Sequence, residues 1–431
     1  MDLDELAHLL RRTEFVARPE RMEELGDLSR ADAVADILDV SLNNPLILPI
    51  EFQSEPDDSW EQYVDACSWW LDRMVNVPRP MQEKMTLFWH GHFTSAWWEV
   101  GHGFHMMLQN HLYRQHALGD FRVLTQEMAV QPAMLVYLSN AFNVKGEPNQ
   151  NFARELMELF TLGVGNYTEA DVDAAARAWT GHNAWWPEYE YQFDLGEHDT
   201  GQKTFFGTTK NWDGPDIINE ILRDNVDKRV VAARFITRKL WEFFAHPVPP
   251  TGVVEALADQ FLAADLDLSV LMQALLTHNE FYALAARTGL VRSPIEWIAA
   301  LSWATGLSGD DLGVSWASEA TGQHFYQPPN VSGWRPNAYW LNTSALNGRA
   351  GIARNATWHL RSNEGLDELD EMDADDAVDF VANMLGITPL TTVTRNALIN
   401  GYQASRNAPD WWWATTNMVT MAILAPEFHM A

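Results

Sequence analysis

The sequence has very little cysteine and very little positive charge. Cys67 is the single cysteine, which excludes an internal disulfide. Only six residues are lysine, and 29 basic residues against 59 acidic ones give a formal net charge of −30. Binding to phosphate backbones requires a basic face, so we expect no nucleic-acid partner. An acidic, lysine-poor surface is also typical of a protein that stays soluble at high salt.

Long apolar runs and familiar cofactor motifs are absent as well. No run of about 18 apolar residues occurs, which excludes a membrane-spanning helix. The N-terminus, MDLDELAHLLRRTEF, lacks the basic start, apolar centre and small-residue cleavage site of a signal peptide. We therefore expect the chain, as given, to be soluble and unanchored. The motifs GxGxxG, GxxxxGK[ST], GxSxG, HExxH and CxxC are missing, so dinucleotide, NTP, serine-hydrolase, zincin and thioredoxin chemistry lack support.

Apolar residues at helical spacing dominate the rest of the chain. The exception is 188–207, EYEYQFDLGEHDTGQKTFFG, where two aromatic-rich runs flank a Gly/Asp/Thr turn, a pattern typical of a β-hairpin or an ordered loop. The predicted fold class is mainly α: a large multi-helix globular domain with a small β-hairpin near 188–207. We predict helices over 60–75, 80–90, 100–117, 120–128, 131–139, 150–162, 168–180, 228–245, 251–264, 267–278, 294–306, 340–360, 374–386, 391–404 and 410–424.

The acidic stretch SNEGLDELDEMDADDA, at 362–377, is the best candidate for a boundary. We divide the chain there into a main helical domain with a β-hairpin insertion, 1–361, and a C-terminal helical segment packed on it, 362–431. With 47% hydrophobic residues the chain can bury one large core or two fused ones. We expect the two parts to form one structural unit.

The stretch NFARELMELFTLG combines an apolar helix with a narrow polar stripe. On a helix Asn151, Arg154, Glu155, Glu158 and Thr161 fall within about 120°, and apolar side chains cover the rest. A helix that is apolar on most sides is normally buried, so we expect a buried stripe. We predict catalytic roles for Arg154, Glu155 and Glu158 and substrate binding by Asn151. The alternative is a structural ionic network in which Arg154 pairs with Glu158.

Histidines supply the candidates for metal chemistry. His90 and His92 in WHGHF share one side of an extended segment but lie about 200° apart on a helix. As metal ligands they need a strand or a helix end, and Gly91 makes a break there plausible. The alternative is a pair of hydrogen-bonded core or surface groups. His102 and His105, spaced i, i+3, are a second candidate pair.

Two loops complete the candidate site. His198 and Asp199 lie in the predicted hairpin turn, where an imidazole beside a carboxylate is a candidate for catalysis, and Lys203 nearby is a candidate for substrate binding. The alternative is that Asp199 closes an Asx-turn and His198 is solvated. Trp334 ends the loop QPPNVSGW, which either walls a substrate pocket or is a structural Ω-loop.

Five blocks of sequence resemble one bacterial family. The blocks are QEKMTLFWHGHF, NFARELMELFTLGVGNYTEADV, HDTGQKTFFG, RFITRKLWEFF and QPPNVSGW. In this order they are similar to the domain-of-unknown-function family numbered eighteen hundred, over about residues 5–430. The family is named for lacking a function. Its members often carry export signals and often sit beside genes for a sulfatase-like family, so the resemblance implies an envelope or secreted role and a sulfatase-like partner protein.

The leading hypothesis is an enzyme with a polar pocket formed by the 151–158 helix, the WHGHF segment and the His198–Asp199 turn, holding a divalent metal ion. The hypothetical reaction is hydrolysis or elimination on a polar polymer such as a polysaccharide, with a glutamate as base. One alternative is a non-catalytic helical scaffold or envelope assembly protein. Another is a metal-dependent oxidase.

Overall fold

The structure is a computed structural model and describes residues 1–43, 60–185 and 190–431. The predicted mainly α class is confirmed, since 66% of the chain is helical and the β-structure of the described ranges is limited to two small antiparallel sheets. No helix in those ranges has both the length and the apolarity needed to cross a lipid bilayer.

The helices follow one another along the chain, and each predicted helical segment coincides with at least one of them. The first nine are α1 Leu3–Glu14, α2 Pro19–Leu25, α3 Arg30–Leu38, α4 Trp60–Asn76, α5 Met81–His92, α6 Trp97–Val100, α7 Gly103–Gln115, α8 Phe121–Ala129 and α9 Pro132–Tyr137. The next seven are α10 Asn151–Glu155, α11 Glu169–Ala178, α12 Gly214–Asn219, α13 Val226–Phe244, α14 Val253–Ala263, α15 Leu268–Thr277 and α16 Leu284–Arg287. The remainder are α17 Pro294–Thr305, α18 Gly309–Leu312, α19 Val314–Thr321, α20 Thr343–Ser362, α21 Asp367–Asp370, α22 Ala374–Met384, α23 Thr392–Arg406, α24 Ala414–Ile423 and α25 Pro426–His429.

Two further segments are π-helices that continue α10 and α12, namely Leu156–Thr161 and Glu220–Asp224. The predicted helix 150–162 is therefore α-helical at its start and π-helical at its end. π-Helical turns occur frequently at functional sites.

The strands form two hairpin-like pairs. Strand β1, His182–Trp185, pairs antiparallel with β2, Glu190–Phe193, and β3, Lys203–Phe205, pairs antiparallel with β4, Thr208–Lys210. The prediction of β-structure near 188–207 is confirmed, but the two aromatic-rich runs pair with other neighbours instead of with each other. Residues 188 and 189 of the predicted hairpin lie outside the described residues.

Buried apolar side chains form two clusters. The first comes mainly from α1–α3, α5 and the elements between α7 and α16, and the second mainly from α4, α6 and α17–α25. Helix α5 contributes Met85 and Trp89 to the first cluster and Leu87 to the second, so it lies between them. The second cluster combines helices from both sides of residue 362. The division into 1–361 and 362–431 stays a prediction.

Buried ion pairs fasten α5 to its neighbours. Glu83 accepts hydrogen bonds from Arg114 Nε and Nη2 at 2.6 and 2.7 Å and from Arg73 Nε at 3.0 Å. On the next residue, the Lys84 ammonium pairs with Glu296 on α17. Each pair compensates charges that would be costly to bury alone. The first turn of α5 is thereby held in position against α4, α7 and α17.

Candidate metal centre

Three potential metal ligands converge beside the small sheets. His182, His198 and Asp213 each offer one ligand atom, and these atoms all lie within 4.8 Å of one another. Both histidines are buried and the aspartate is partly exposed. Within 1–43, 60–185 and 190–431, no other group of three or more His, Cys, Asp or Glu side chains brings its ligand atoms this close. Two imidazoles and one carboxylate form a donor set used for Zn²⁺ and for non-haem Fe(II).

A glycine brings the two histidines together. Gly181, directly before β1, has φ 79°, and a Cβ there would lie 2.5 Å from the carbonyl oxygen of Asp194. The backbone N–H of Asp194 donates to the Gly181 carbonyl at 2.8 Å. Because no side chain intervenes, the loop after β2 packs directly against the start of β1. This contact places His198, on that loop, beside His182, the first residue of β1.

The ring orientation of His198 suits metal binding. Its Nδ1 lies 2.8 Å from the carbonyl oxygen of Thr180, an acceptor, so Nδ1 carries the proton. Nε2 then has its lone pair available. The Thr180 hydroxyl also accepts a hydrogen bond from the Asp199 N–H at 2.8 Å. Hydrogen bonds of this kind, from the non-ligating nitrogen to a carbonyl, orient histidine ligands in metal sites.

His182 and Asp213 are hydrogen-bonded to each other. Nε2 of His182 lies 2.8 Å from Oδ1 of Asp213, and Nδ1 lies 3.0 Å from the Tyr191 hydroxyl on β2. Asp213 is the N-cap of α12, and the same oxygen accepts the Gly214 N–H at 2.6 Å. Burial acts to raise the pKa of Asp213, but the hydrogen bonds from His182 and Gly214 outweigh it and hold the pKa below its usual value. The carboxylate is therefore ionised, and a cation that binds Nε2 of His182 would displace the proton that Nε2 donates to Asp213.

Lys203 holds the loops around the three ligands. Its buried ammonium group donates to the carbonyl oxygens of Gly201 and Trp212 at 3.1 and 2.9 Å, to Oδ1 of Asn211 at 3.1 Å, and to the carbonyl oxygen of Asp199. Lys203 thus joins the loop that carries His198 to the segment that leads into Asp213. These contacts give Lys203 a positioning role, and its predicted role in substrate binding stays a prediction.

Asp199 is engaged by an arginine. Arg177 Nε lies 2.7 Å from its Oδ2, and this hydrogen bond lowers the pKa of Asp199. Its other oxygen accepts the Gly201 N–H at 2.8 Å, which is the Asx-turn of the alternative interpretation. His198, in contrast, is only 5% exposed and is not solvated. The catalytic role predicted for this pair stays a prediction.

The polar stripe of α10 and its π-helical continuation is exposed at Asn151, half-buried at Arg154, Glu155 and Glu158, and buried at Thr161, so the expectation of a buried stripe is wrong. Arg154 binds both carboxylate oxygens of Glu169, at the start of α11, at 2.8 Å each. Its partner is therefore not Glu158, which accepts a hydrogen bond from the Tyr167 hydroxyl. Burial, followed by the repulsion of Glu158, raises the pKa of Glu155. A carboxyl group with a raised pKa suits general acid–base chemistry.

Buried aromatic rings connect α10 to the three ligands. The Phe152 ring lies 4.9 Å from Trp179, centroid to centroid, and Trp179 lies 4.8 Å from the His182 ring. Asn151, at the start of α10, is exposed. Glu155 and Glu158 do not belong to the three-ligand group. The catalytic and substrate-binding roles predicted for the α10 residues stay predictions.

His90 and His92 lie in different environments at the end of α5. The helix continues through Gly91, so the break considered there does not occur. Burial lowers the pKa of both histidines to about 3. His92 Nε2 lies 3.0 Å from the carbonyl oxygen of Phe160, in the last turn of the π-helix, where carbonyls lack a partner within the helix. The His90 ring packs against Trp70, Tyr113, Tyr326 and Trp334.

Neither His90 nor His92 belongs to the three-ligand group, and their assignment as metal ligands stays a prediction. His102 and His105, the second candidate pair, have ring centroids 4.2 Å apart at the start of α7. They do not belong to that group either.

The QPPNVSGW loop docks on the last turn of α5. Gly333 has φ 78°, and a Cβ there would lie 2.1 Å from the Gly91 carbonyl oxygen. The Trp334 ring fits over Gly91, where a Cβ would meet it at 3.4 Å. Gly91 is therefore explained by close approach of a loop and not by a helix break. His92 and Trp334 line a separate cavity of about 230 Å³.

Fold and site together define a mainly α protein with a candidate His₂Asp metal centre. The chain belongs to the family described as "Protein of unknown function (DUF1800)", whose model matches residues 8–430. The resemblance drawn from the five sequence blocks is thereby confirmed. No curated protein and no solved structure matches the chain.

Two of the three ligands were not among the residues predicted from the sequence. His182 closes the segment AWTGH, and Asp213 precedes the Gly-Pro pair that opens α12. The sequence signal for Asp213 is a helix N-cap, which is ordinarily structural. His182 and Asp213 lie 31 positions apart, and only the folding of the strands between them brings them into contact.

Proposed function

We propose that the protein is a divalent-metal-dependent enzyme whose ion is bound by His182, His198 and Asp213. The observation that carries the proposal is the convergence of ligand atoms from these three side chains within 4.8 Å, with both histidines buried and Asp213 partly exposed. Each ligand has a hydrogen bond that fixes its orientation, through Thr180, Tyr191 or Gly214. Such support is typical of sites that bind metal ions.

Hydrolysis is the reaction class that this donor set favours. Three protein ligands leave positions for water and substrate, as in catalytic zinc sites, and the ion when bound makes water a strong nucleophile near neutral pH. The chain itself contributes the ionised Asp213 carboxylate, which offsets the charge of the cation. In the proposal Glu155, whose pKa is raised, remains the candidate proton donor or acceptor, with Glu158 and Asp199 as further candidates. Arg154 remains the candidate that neutralises an anionic group of the substrate.

Exposed aromatic side chains beside the ligands suggest the substrate class. Tyr191 and Phe193 on β2 are 39% and 44% exposed. The Phe193 ring centroid lies 4.8 Å from that of His182 and 5.2 Å from that of His198. Aromatic faces bury the C–H surfaces of sugar rings. We therefore propose a polar polymer such as a polysaccharide as the substrate.

The experiment is a screen of polysaccharides for release of reducing ends by the full-length chain. We expect activity that a chelator abolishes and that added Zn²⁺ or Mn²⁺ restores. His198→Gln should abolish it, whereas His116→Gln, a matched change at a part-exposed histidine paired with Glu127, should not. Activity that survives both chelation and His198→Gln would refute the metal-dependent mechanism.

A metal-dependent oxidase is the second candidate, because two histidines and one carboxylate also hold Fe(II) in non-haem oxygenases. Selective binding of Fe(II) with consumption of O₂ would favour it over hydrolysis. A non-catalytic scaffold role would be supported by a protein that binds no metal and modifies no substrate.

A further inference from the structure

The cavity of about 230 Å³ is not lined by any of the three candidate metal ligands. Helices α1, α5, α13 and α17 and the loop before α20 form its walls. Its volume exceeds the roughly 30 Å³ share of one bulk water several-fold. It is also below the range of about 300–1,000 Å³ that is typical of sites for drug-sized ligands. A molecule the size of a monosaccharide derivative, or smaller, is the size class that fits.

The cavity is positively charged in a strongly acidic protein. Arg12 and Lys84, exposed by only 1% and 2%, line its inner part, and the exposed Lys239 and Arg335 line its outer part. Two carboxylates, Glu242 and Glu296, also line it. Four cationic against two anionic side chains leave an excess of two positive charges in a chain whose net charge is −30.

Guanidinium groups at and behind the inner wall lack anionic partners. Arg12, Arg292 and Arg349 donate to carbonyl oxygens and to the His429 imidazole, not to carboxylates. Nε and Nη1 of Arg12, Nε and Nη2 of Arg292, and Nε of Arg349 are buried without a hydrogen-bond partner. Burial lowers the pKa of Arg12 and of Arg292 to about 9. Glu296 attracts all three cations, but it already pairs with Lys84.

The same protein shows how a buried arginine is normally satisfied. Arg114, exposed by 2%, places Nε and Nη2 on the two oxygens of Glu83 at 2.6 and 2.7 Å. Arg12 is as deeply buried but has no such carboxylate, and it lines an open cavity. An unpaired buried charge is strongly destabilising, whereas a planar guanidinium fork matches a carboxylate or phosphate closely.

The remaining walls indicate what else the ligand carries. Phe88, Phe243, Trp334 and Trp340 provide apolar faces, and the amide of Gln323 provides a hydrogen-bonding group. We propose that this cavity binds a small organic anion whose phosphate or carboxylate group is held by Arg12 and Lys84, with Lys239 and Arg335 at the entrance. None of the three candidate metal ligands lines this cavity, so the proposed anion site is separate from the metal centre.

Calorimetric titration of the full-length chain tests the proposal, with inorganic phosphate, glucose 6-phosphate, glucuronate and citrate as ligands and glucose as the uncharged control. We expect saturable binding of at least one anion at one site per chain and none of glucose. A preference for the phosphates identifies a phosphate ligand, and a preference for glucuronate or citrate identifies a carboxylate.

Variants locate the binding. Lys239→Gln should weaken it at least about tenfold, which corresponds to about 1.4 kcal/mol. Lys145→Gln removes the same charge from an exposed lysine outside the cavity and should leave affinity unchanged. Arg12→Gln should abolish binding. If Arg12→Gln does not fold, Arg335→Gln, at an exposed residue of the cavity, provides the second measurement and should weaken binding. Absence of saturable binding for all four anions would overturn the proposal, as would equal affinities for Lys239→Gln and Lys145→Gln. His198→Gln should bind the anion normally.

Discussion

Nε2 of His182 lies 2.8 Å from Oδ1 of Asp213, and this hydrogen bond joins the first residue of β1 to the N-cap of α12. Each of the two side chains thus has a hydrogen-bond partner within the protein and is also a potential metal ligand. The two roles differ in what they require. A helix cap needs only an oxygen acceptor, whereas a metal ligand needs a negative charge on that acceptor.

Asp213→Asn separates these roles. Asparagine is as good an N-cap as aspartate, so we expect the melting temperature of the metal-free protein to change little. Affinity for a divalent cation should fall at least about tenfold, because the neutral amide is a weaker ligand. Thermal melts and metal titrations of the same preparation check both parts. Equal metal affinity in the variant and the wild type would remove Asp213 from the site.

Glu83→Gln should be severely destabilising. The substitution leaves Arg114 and Arg73 without their buried counter-charge, and breaking such a pair costs about 3–5 kcal/mol. Chemical denaturation gives the free energy of unfolding. Glu169→Gln, which breaks the exposed pair with Arg154, is the matched control and should have little effect. Similar losses of stability in the two variants would contradict the role of Glu83 in fastening α5 to its neighbours.

Glu158→Gln should be tolerated. The structure pairs Arg154 with Glu169, so the substitution uncovers no buried charge and alters only the hydrogen bond from Tyr167. We expect a loss of about 1 kcal/mol or less and unchanged metal uptake. A large destabilisation in thermal melts, the same with and without chelator, would show that the side chain has an unrecognised structural partner.

His90→Phe should reduce the sensitivity of the fold to acid. Burial lowers the pKa of His90 to about 3 in the folded state, against 6.5 in the unfolded chain. Between these values the unfolded state binds the extra proton, so the free energy of unfolding falls by about 1.4 kcal/mol per pH unit as pH decreases. Above pH 6.5 this contribution is constant.

The surroundings of His90 are aromatic, so phenylalanine preserves their character. Urea denaturation of both proteins from pH 4 to 8 gives the free energy of unfolding at each pH. Plotted against pH, the values for the two proteins should run parallel at the alkaline end. Below pH 6 the slope of the free energy of unfolding against pH should be smaller in the variant, because the variant takes up about one proton fewer on unfolding. Identical slopes throughout that range would mean that the buried imidazole is protonated in the folded state.

Helical periodicity was sufficient to predict the fold class, because the α-helices bury long apolar faces that recur every 3.6 residues. It could not predict the π-helix at Leu156–Thr161, where one extra residue per turn places the Phe160 carbonyl beside His92. Nor could it pair the strands. The two aromatic runs near 188–207 could pair with each other by their sequence pattern. Each instead pairs with a strand that is closer to it in the chain, β1 or β4, because short connections are favoured.

The candidate site was predicted only in part, because its residues come from three separate segments. His198 was identified from its turn and its neighbours Asp199 and Lys203. His182 and Asp213 belong to a strand and a helix cap, where sequence alone indicates structure. In the WHGHF segment Gly91 suggested a helix break, whereas its role is to admit the Gly333 loop, a contact between residues 242 positions apart.

Metal binding by His198 is the most direct test of the proposed metal centre. The chelator-treated full-length chain is titrated with Zn²⁺ in parallel with His198→Gln and the control His116→Gln. We expect one ion per chain in the wild type and in His116→Gln, and a loss of at least about 100-fold in affinity in His198→Gln. Absence of stoichiometric binding in the wild type, or equal affinity in all three proteins, would contradict the metal centre at His182, His198 and Asp213.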